Sequence, residues 1–219
     1  MKNILVIAVH PDDETLGCGG TLLKHKANGD NIHWLIATQT DPQGEFFQKR
    51  KKEIAAVAKA YGFASVHHLE LQSMRVDEYS MSTLIAKISQ IITQVKPEIL
   101  YLPFKNDVHS DHRKIFEAAY SCTKSFRYPF IEKIYMMETL SETEFAPSTT
   151  DESFIPNVFV DVSGYLEEKI AIMKLYKGEM AEHPFPRSEQ NMRAVATLRG
   201  ATAGCEYAES FMLLKEILR

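Results

Sequence analysis

The run His10-Pro11-Asp12-Asp13-Glu14 crowds one imidazole and three carboxylates into a single stretch of chain. His10 and Asp13 offer one nitrogen and one oxygen, a ligand pair that suits Zn²⁺. Asp12 lies between them, where a carboxylate can act on a metal-bound water. Adjacent acids repel one another, and two things lower that cost: the positive end of a helix dipole and a bound cation. The plainer alternative is that Asp12, Asp13 and Glu14 only cap a helix. A second loaded run is Asp107-Val108-His109-Ser110-Asp111-His112. His109 and His112 stand at i, i+3, so the first turn of a helix would show both on one face. Asp111 falls beside them and can accept a proton from an imidazole ring, fixing its tautomer.

Both runs sit where a strand hands over to a helix. The apolar run Ile4 to Ala8 reads as a short buried strand, and Thr15 to Asn28 as an amphipathic helix closed by Gly29. Strand-length apolar stretches follow at Ile32 to Thr38, Val66 to Leu71 and Ile99 to Leu102. Helical periods run from Glu45 to Tyr61, stopping at Gly62, and from Met81 to Val95, stopping before Pro97. Asp107 to His112 leads into a helix from Arg113 to about Cys122. Lys133 to Met137 and Asn157 to Val162 are further strand candidates, and Tyr165 to Tyr176 reads as helix. From Ser188 the chain reads as helix first and then an ambiguous Phe211 to Leu218. Glu142 to Pro156 reads as a surface loop and Gly178 to Arg187 as irregular.

Strands alternating with helices, and no hairpin signal, predict an α/β fold: a three-layer α/β/α, Rossmann-like, mainly parallel sheet. Ligands in such sheets bind at the carboxyl ends of strands where strand order reverses. If the first and fourth strands are neighbours there, the two loaded turns face one crevice. With no repeat or linker, residues 1–219 are expected to form a single domain.

Hydrophobic content of 45% and charged content of 25% are ordinary for a globular protein. A net charge of -4 argues against nucleic acid as a ligand, and no apolar run approaches the ~20 residues of a membrane span. Cys18, Cys122 and Cys205 form no CxxC pattern and are expected to be free, buried thiols. With a core strand starting directly after Met1, the expected location is the cytoplasm.

The two runs together resemble the LmbE-like or PIG-L-like zinc-dependent N-deacetylases. His10 to Glu14 matches that family's HPDDE signature without change, and His109-Ser110-Asp111-His112 fits its HxDH signature. Arg50-Lys51-Lys52-Glu53 is similar to its RxxE, and Arg199-Gly200, Gly204 and Tyr207 to Phe211 look like its C-terminal segment. The resemblance implies one Zn²⁺ per chain held by His10, Asp13 and His112. It implies Asp12 as general base, and His109, oriented by Asp111, as acid and oxyanion stabiliser. It implies removal of the acetyl group from an N-acetylglucosamine-type sugar or small conjugate, by attack of a zinc-bound water. Three protein ligands leave the open position a catalytic zinc needs, and a carboxylate beside His109 would favour its imidazolium.

Arg50 is then a candidate substrate contact; otherwise it is a helix-surface arginine paired with Glu53. Glu14 either contacts substrate, orients ligands or complements the helix N-terminus. Gly17, Gly19 and Gly20 raise a rival reading, a Rossmann-like nucleotide and Mg²⁺ binder. Their frame lacks the third glycine of GxGxxG, and three acids precede it; close helix-to-sheet packing explains them better. A different N-acyl substrate, such as a chitooligosaccharide or an antibiotic precursor, uses the same chemistry. The expected partners are a small N-acetylated amino sugar and no nucleic acid or membrane, with a homo-oligomer open. His183 to Arg187 is either a lid over the site or a surface loop.

Overall fold

A computed structural model describes residues 1–149 and 151–218. Its elements in chain order are β1 (Asn3–Ala8), α1 (Asp13–Ala27), β2 (Asn31–Gln39), α2 (Glu45–Tyr61), β3 (Ser65–Gln72), α3 (Met81–Val95), β4 (Ile99–Leu102), α4 (Ser110–Ser121), β5 (Lys133–Met137), β6 (Val158–Asp161), α5 (Leu166–Met173), α6 (Glu189–Ala203) and β7 (Ala208–Glu216). A short 3₁₀ turn, Val76–Glu78, precedes α3.

All seven strands form one sheet in the order β3-β2-β1-β4-β5-β7-β6. The first five in that order pair in parallel, while β7 runs antiparallel to both β5 and β6. The apolar alternation along β1 divides the core. Ile4, Val6 and Ala8 face Leu16 of α1, Val57 of α2, Ile170 of α5 and Met192 of α6. Leu5 and Ile7 face Ile88 of α3 and Ile115 of α4. Helices cover both faces, so β1 is buried on both sides and reads as an unbroken apolar run. The result is the three-layer α/β/α arrangement that the alternating elements imply.

Local chemistry sets the ends. α2 stops because Gly62 takes a left-handed conformation (φ 68°) and its N–H closes on the Ala58 carbonyl. Ser80 caps α3 by accepting from the Thr83 N–H at 3.2 Å. α1 breaks at Cys18 (φ -149°), and its second half starts at Gly19 and Gly20. There the Glu209 carboxylate accepts from the Gly20 and Thr21 N–H groups at 2.9 and 2.7 Å, while Lys169 Nζ neutralises it at 2.7 Å.

Three elements differ from the sequence expectation by more than a residue or two at an end. α4 begins at Ser110 rather than Arg113, because the His109 side chain caps it by accepting from the Asp111 N–H. The ambiguous C-terminal stretch is β7, inserted between β5 and β6. α5 is shorter than Tyr165 to Tyr176. Cys18 and Cys122 are free and buried, but Cys205 is only partly so, since it lies in the turn after α6.

Candidate active site

β1 and β4 are neighbours, and the chain leaves β1 toward β2 and β3 on one side but toward β4 and β5 on the other. Strand order therefore reverses between them, which opens a crevice at their carboxyl ends. The turn after β1 delivers His10, Asp12 and Asp13; the turn after β4 delivers Asp107, His109, Asp111 and His112. They meet. His112 Nε2 lies 3.3 Å from Asp13 Oδ2 and 3.3 Å from His10 Nδ1, and His10 Nδ1 is 3.9 Å from Asp13 Oδ2.

These donors fit a divalent cation. Tetrahedral bonds of about 2.1 Å separate ligand atoms by about 3.4 Å, close to the spacing found. Each ring also has its remaining nitrogen against a carboxylate, as metal-binding imidazoles do. Asp107 Oδ2 lies 2.8 Å from His112 Nδ1, and Asp111 Oδ2 lies 3.4 Å from His10 Nε2. The Thr143 hydroxyl donates to Asp107 at 2.7 Å. The Met74 and Val76 N–H groups donate to Asp111 at 2.7 and 3.2 Å. The Val9 and His10 N–H groups donate to Asp13 Oδ2 at 2.9 and 2.8 Å. Two imidazole nitrogens and one carboxylate oxygen thus converge, with their orienting partners themselves held.

The charges follow. Burial pushes the Asp13 carboxyl up, but His112 and His10 outweigh it and hold Asp13 below the usual carboxylate range. For His112, burial works downward and is outweighed by Asp13 and Asp107, so its proton affinity rises well above the ordinary value. For Asp12 the one opposing charge, the Arg187 guanidinium, is outweighed. Burial, then Asp13 and Glu179, push its carboxyl well up. Its backbone also stands at φ 136°, a conformation an L residue avoids, fixed by the Thr15 and Leu16 N–H bonds to its carbonyl, both 2.9 Å. Of the five non-glycine residues with positive φ among those described, Asp12, Met74 and Ser141 line one cavity of about 270 Å³. Such strain gathers at functional sites.

That cavity also presents His10, Asp13, Arg50, His109, Glu142, Glu179 and Arg187. Arg50, a candidate substrate contact by sequence, reaches it from α2. It is buried, ion-paired to Glu179, 3.4 Å from Glu53 and against the rings of Phe46 and Tyr176. Glu14 does not reach it. Its carboxylate is fully buried and accepts from Thr15 Oγ1 (2.6 Å), Tyr176 Oη (2.8 Å) and the Asp12 N–H (3.1 Å). Glu14 is therefore no substrate contact but a brace beneath Asp12, and burial pushes it up to about 7.

Asp111 is also placed differently. Its carboxylate faces His10, while only its backbone N–H meets His109, at Nδ1 and 3.1 Å. Burial, then His10, hold His109 below the ordinary imidazole value. The expected imidazolium beside a carboxylate is replaced by a neutral ring with its Nδ1 lone pair engaged. The proton must then sit on Nε2.

Asp107, Tyr176, Glu142 and Glu179 join the site without being singled out by sequence, and Arg187, the end of the stretch that is either a lid or a surface loop, lines the cavity. Asp107 was within sight, five positions before His112 at the end of a strand-to-helix turn. Glu179 and Arg187 come from the irregular segment between α5 and α6, where no periodicity marks a face. Arg187 donates to the Glu179 carbonyl (2.8 Å) and carboxylate (3.1 Å) and to Ser141 Oγ (3.0 Å), tying that segment across the cavity. The glycines after Glu14 leave no room for phosphate. A Cβ at Gly17 would stand 3.0 Å from Met137 Cβ, and one at Gly20 2.9 Å from Val162 Cβ.

Comparison with known proteins gives this geometry a context. Diacetylchitobiose deacetylase of Thermococcus kodakarensis is 24% identical over 228 residues, covering 99% of this chain and 85% of the relative. Among solved structures, N,N'-diacetylchitobiose deacetylase of Pyrococcus horikoshii superposes with a TM-score of 0.78 at 20% identity, covering 98% of this chain and 84% of the other. The 4-carboxy-2-hydroxymuconate hydratase GalB of Pseudomonas putida KT2440 superposes with a TM-score of 0.77 at 18% identity, covering 100% of this chain and 98% of the other. Deacetylases and a hydratase thus share this fold, so the fold alone does not decide the reaction. The family-level match is more telling, because it spans both metal-facing turns. The sequence model of PIG-L, the GlcNAc-PI de-N-acetylases, matches residues 5–123, and the chain belongs to that family.

Proposed function

We propose that the protein is a zinc-dependent deacetylase that removes the acetyl group from an N-acetylglucosamine-type sugar or a small conjugate of it. The observation that carries this reading is the convergence of His10 Nδ1, Asp13 Oδ2 and His112 Nε2 beside the unpaired carboxylate of Asp12. Two nitrogens and one oxygen suit zinc better than magnesium, which favours an all-oxygen shell. Zinc, when bound, supplies Lewis-acid polarisation of the amide carbonyl and makes water more acidic.

The chain's own groups divide the remaining work. Burial and neighbouring acids give the Asp12 carboxylate the proton affinity of a general base, and it takes the proton of the attacking water. His109 donates a hydrogen bond from Nε2–H to the oxyanion that develops on the acyl carbon. A neutral ring has no second proton to spare. Asp12 therefore returns its proton to the departing nitrogen as the C–N bond breaks, which leaves acetate and the free amine. Asp107 holds the His112 ring through a hydrogen bond at Nδ1, and the Asp111 carboxylate faces the His10 ring at Nε2. Arg50, Glu179 and Arg187 form the charged wall against which hydroxyl groups of a sugar would bond. The relatives named as diacetylchitobiose deacetylases supply the precedent for an N-acetylated amino sugar.

The test is an amine-release assay on a panel of N-acetylglucosamine conjugates with as-purified, chelated and Zn²⁺-restored protein, recording metal content alongside. Release that stops on chelation and returns with zinc is the expected result. No release by fully zinc-loaded protein would move the reaction elsewhere, and no bound metal would remove the basis of the reading.

A further inference from the structure

The segment between α5 and α6 supplies Glu179 and Arg187 to the cavity, yet it has no helix or strand of its own to hold them there. Its start is gripped from α2. The N–H groups of Lys174, Leu175 and Tyr176 still bond carbonyls within α5. The next N–H turns away. Lys177 donates it to Glu53 Oε1 at 3.1 Å, and the Lys177 carbonyl accepts from Lys49 Nζ at 2.9 Å. Lys49 and Glu53 stand one helical turn apart on α2, so together they satisfy both backbone groups of one residue in the segment. Arg50, beside them, is ion-paired to Glu179 two residues further along.

Glu53 is the centre of this grip. It is buried, which a carboxylate avoids unless other groups hold it. Its Oε2 lies 3.4 Å from Arg50 Nη1, but neither atom has a hydrogen bond, so the one bond Glu53 accepts goes to the segment. From that seat the chain runs out through an exposed tip, 181–184, and returns to Arg187. Arg187 takes its place from the Glu179 carbonyl and carboxylate and from Ser141 Oγ. The position of Arg187 therefore follows Glu179, and that of Glu179 follows the seat at Lys177. Tyr176 is anchored separately, by Glu14 and the Met173 carbonyl, and the metal-facing residues come from the turns after β1 and β4.

We propose that Glu53 is a positioning residue: by seating the segment 177–187 on α2, it fixes Glu179 and Arg187 where they bind the sugar of the substrate. What the cavity binds rests on the deacetylase reading; the seat itself rests on the hydrogen bonds alone. The rival role is a charge partner for Arg50, and the two roles demand different things of the side chain. A seat needs a hydrogen-bond acceptor at position 53, whereas a charge partner needs a negative charge.

The experiment measures amine release from N-acetylglucosamine by zinc-loaded full-length protein, and amide hydrogen exchange across 177–187 in the same samples. Glu53→Ala should raise KM about 10-fold, with kcat within about 3-fold of wild type and zinc content unchanged, because binding groups move while the metal-facing turns do not. Exchange across 177–187 should quicken about 10-fold. Glu53→Gln keeps the acceptor and loses the charge, so it should restore KM to within about 3-fold of wild type and restore the protection. An equal rise in KM in both variants would make Glu53 a charge partner and overturn the proposal. Faster exchange with KM unchanged would overturn it too, as would zinc content and kcat falling together with the rise in KM. If Glu53→Ala misfolds, Lys49→Met at an exposed site decides. It should raise KM and exchange about 2- to 3-fold, and no change in either would overturn the seat. No amine released by wild type, with exchange still quickened in Glu53→Ala, would sink the deacetylase reading and leave the seat standing. Unchanged exchange overturns the seat whatever the turnover.

Discussion

Glu14 shows how far residue type alone can be trusted. Its place in the acidic run put it among possible substrate contacts, but one helical turn rotates it inward, under Asp12 and against Tyr176. Its carboxyl is pushed up by burial from 4.5 to about 7, so between those values the folded protein holds more protons than the unfolded chain. Its contribution to stability is therefore full below about pH 4.5 and is lost as pH rises through about 7. Urea midpoints of metal-free protein from pH 5 to 8 should decline in wild type and decline less in Glu14→Gln, whose amide can still bond Asp12 and Tyr176. The ligand and base roles separate by metal content. His10→Ala and His112→Ala should lose zinc, whereas Asp12→Ala should keep it and lose turnover. Asp107→Asn should keep turnover at saturating zinc but bind it about 10- to 100-fold more weakly, measured by chelator competition. Equal zinc loss in Asp12→Ala would cancel the role given to that residue. His10, Asp12, Asp13, His109 and His112 were legible because each pair sits within one turn of chain. The partner of each imidazole was not, since the rotation of a ring depends on α4 starting at its His109 cap.

At the scale of elements, the strands and helices that carry the site were legible from apolar period and Gly or Pro stops. Gly62, Ser80 and Pro97 act within a few residues of the ends they set. β7 was ambiguous for a different reason. Its apolar run is equally compatible with a helix segment, and what fixes it as a strand is pairing with β5 and β6 far away in sequence. The turn feeding β7 is tight. A Cβ at Gly200 would stand 2.5 Å from the Glu206 carbonyl oxygen and 2.7 Å from that of Cys205, both rigid backbone. Gly200→Ala should therefore cost about 2 kcal/mol in chemical denaturation. Gly164→Ala, with nothing within 4 Å and no positive φ, should stay within about 0.5 kcal/mol.

Across the whole molecule, one sheet joins residues from Asn3 to Glu216, and the two apolar layers on its faces each draw on distant parts of the chain. β7 is held between two strands rather than appended at an edge, so the C-terminal segment has no separate core to melt from. Thermal unfolding followed by near- and far-UV circular dichroism is expected to show one transition with coincident midpoints. Two resolved steps would divide the chain where the single-domain expectation does not. Strand order was the part of the architecture that sequence could only state conditionally. The first and fourth strands had to be neighbours for the two turns to meet, and nothing local to either strand decides that.

The backbone at Asp12 sets function against endurance. A left-handed φ on a non-glycine residue costs about 1–3 kcal/mol, and this residue also holds a carboxylate out of water among other acids. Selection for thermal endurance alone would discard that arrangement, so the residue proposed as the general base is a local weak point of the fold. Asp12→Gly should be catalytically dead yet melt about 2–4 °C higher than wild type. A directed search for hardier variants that does not also demand turnover will drift toward such inactive sequences.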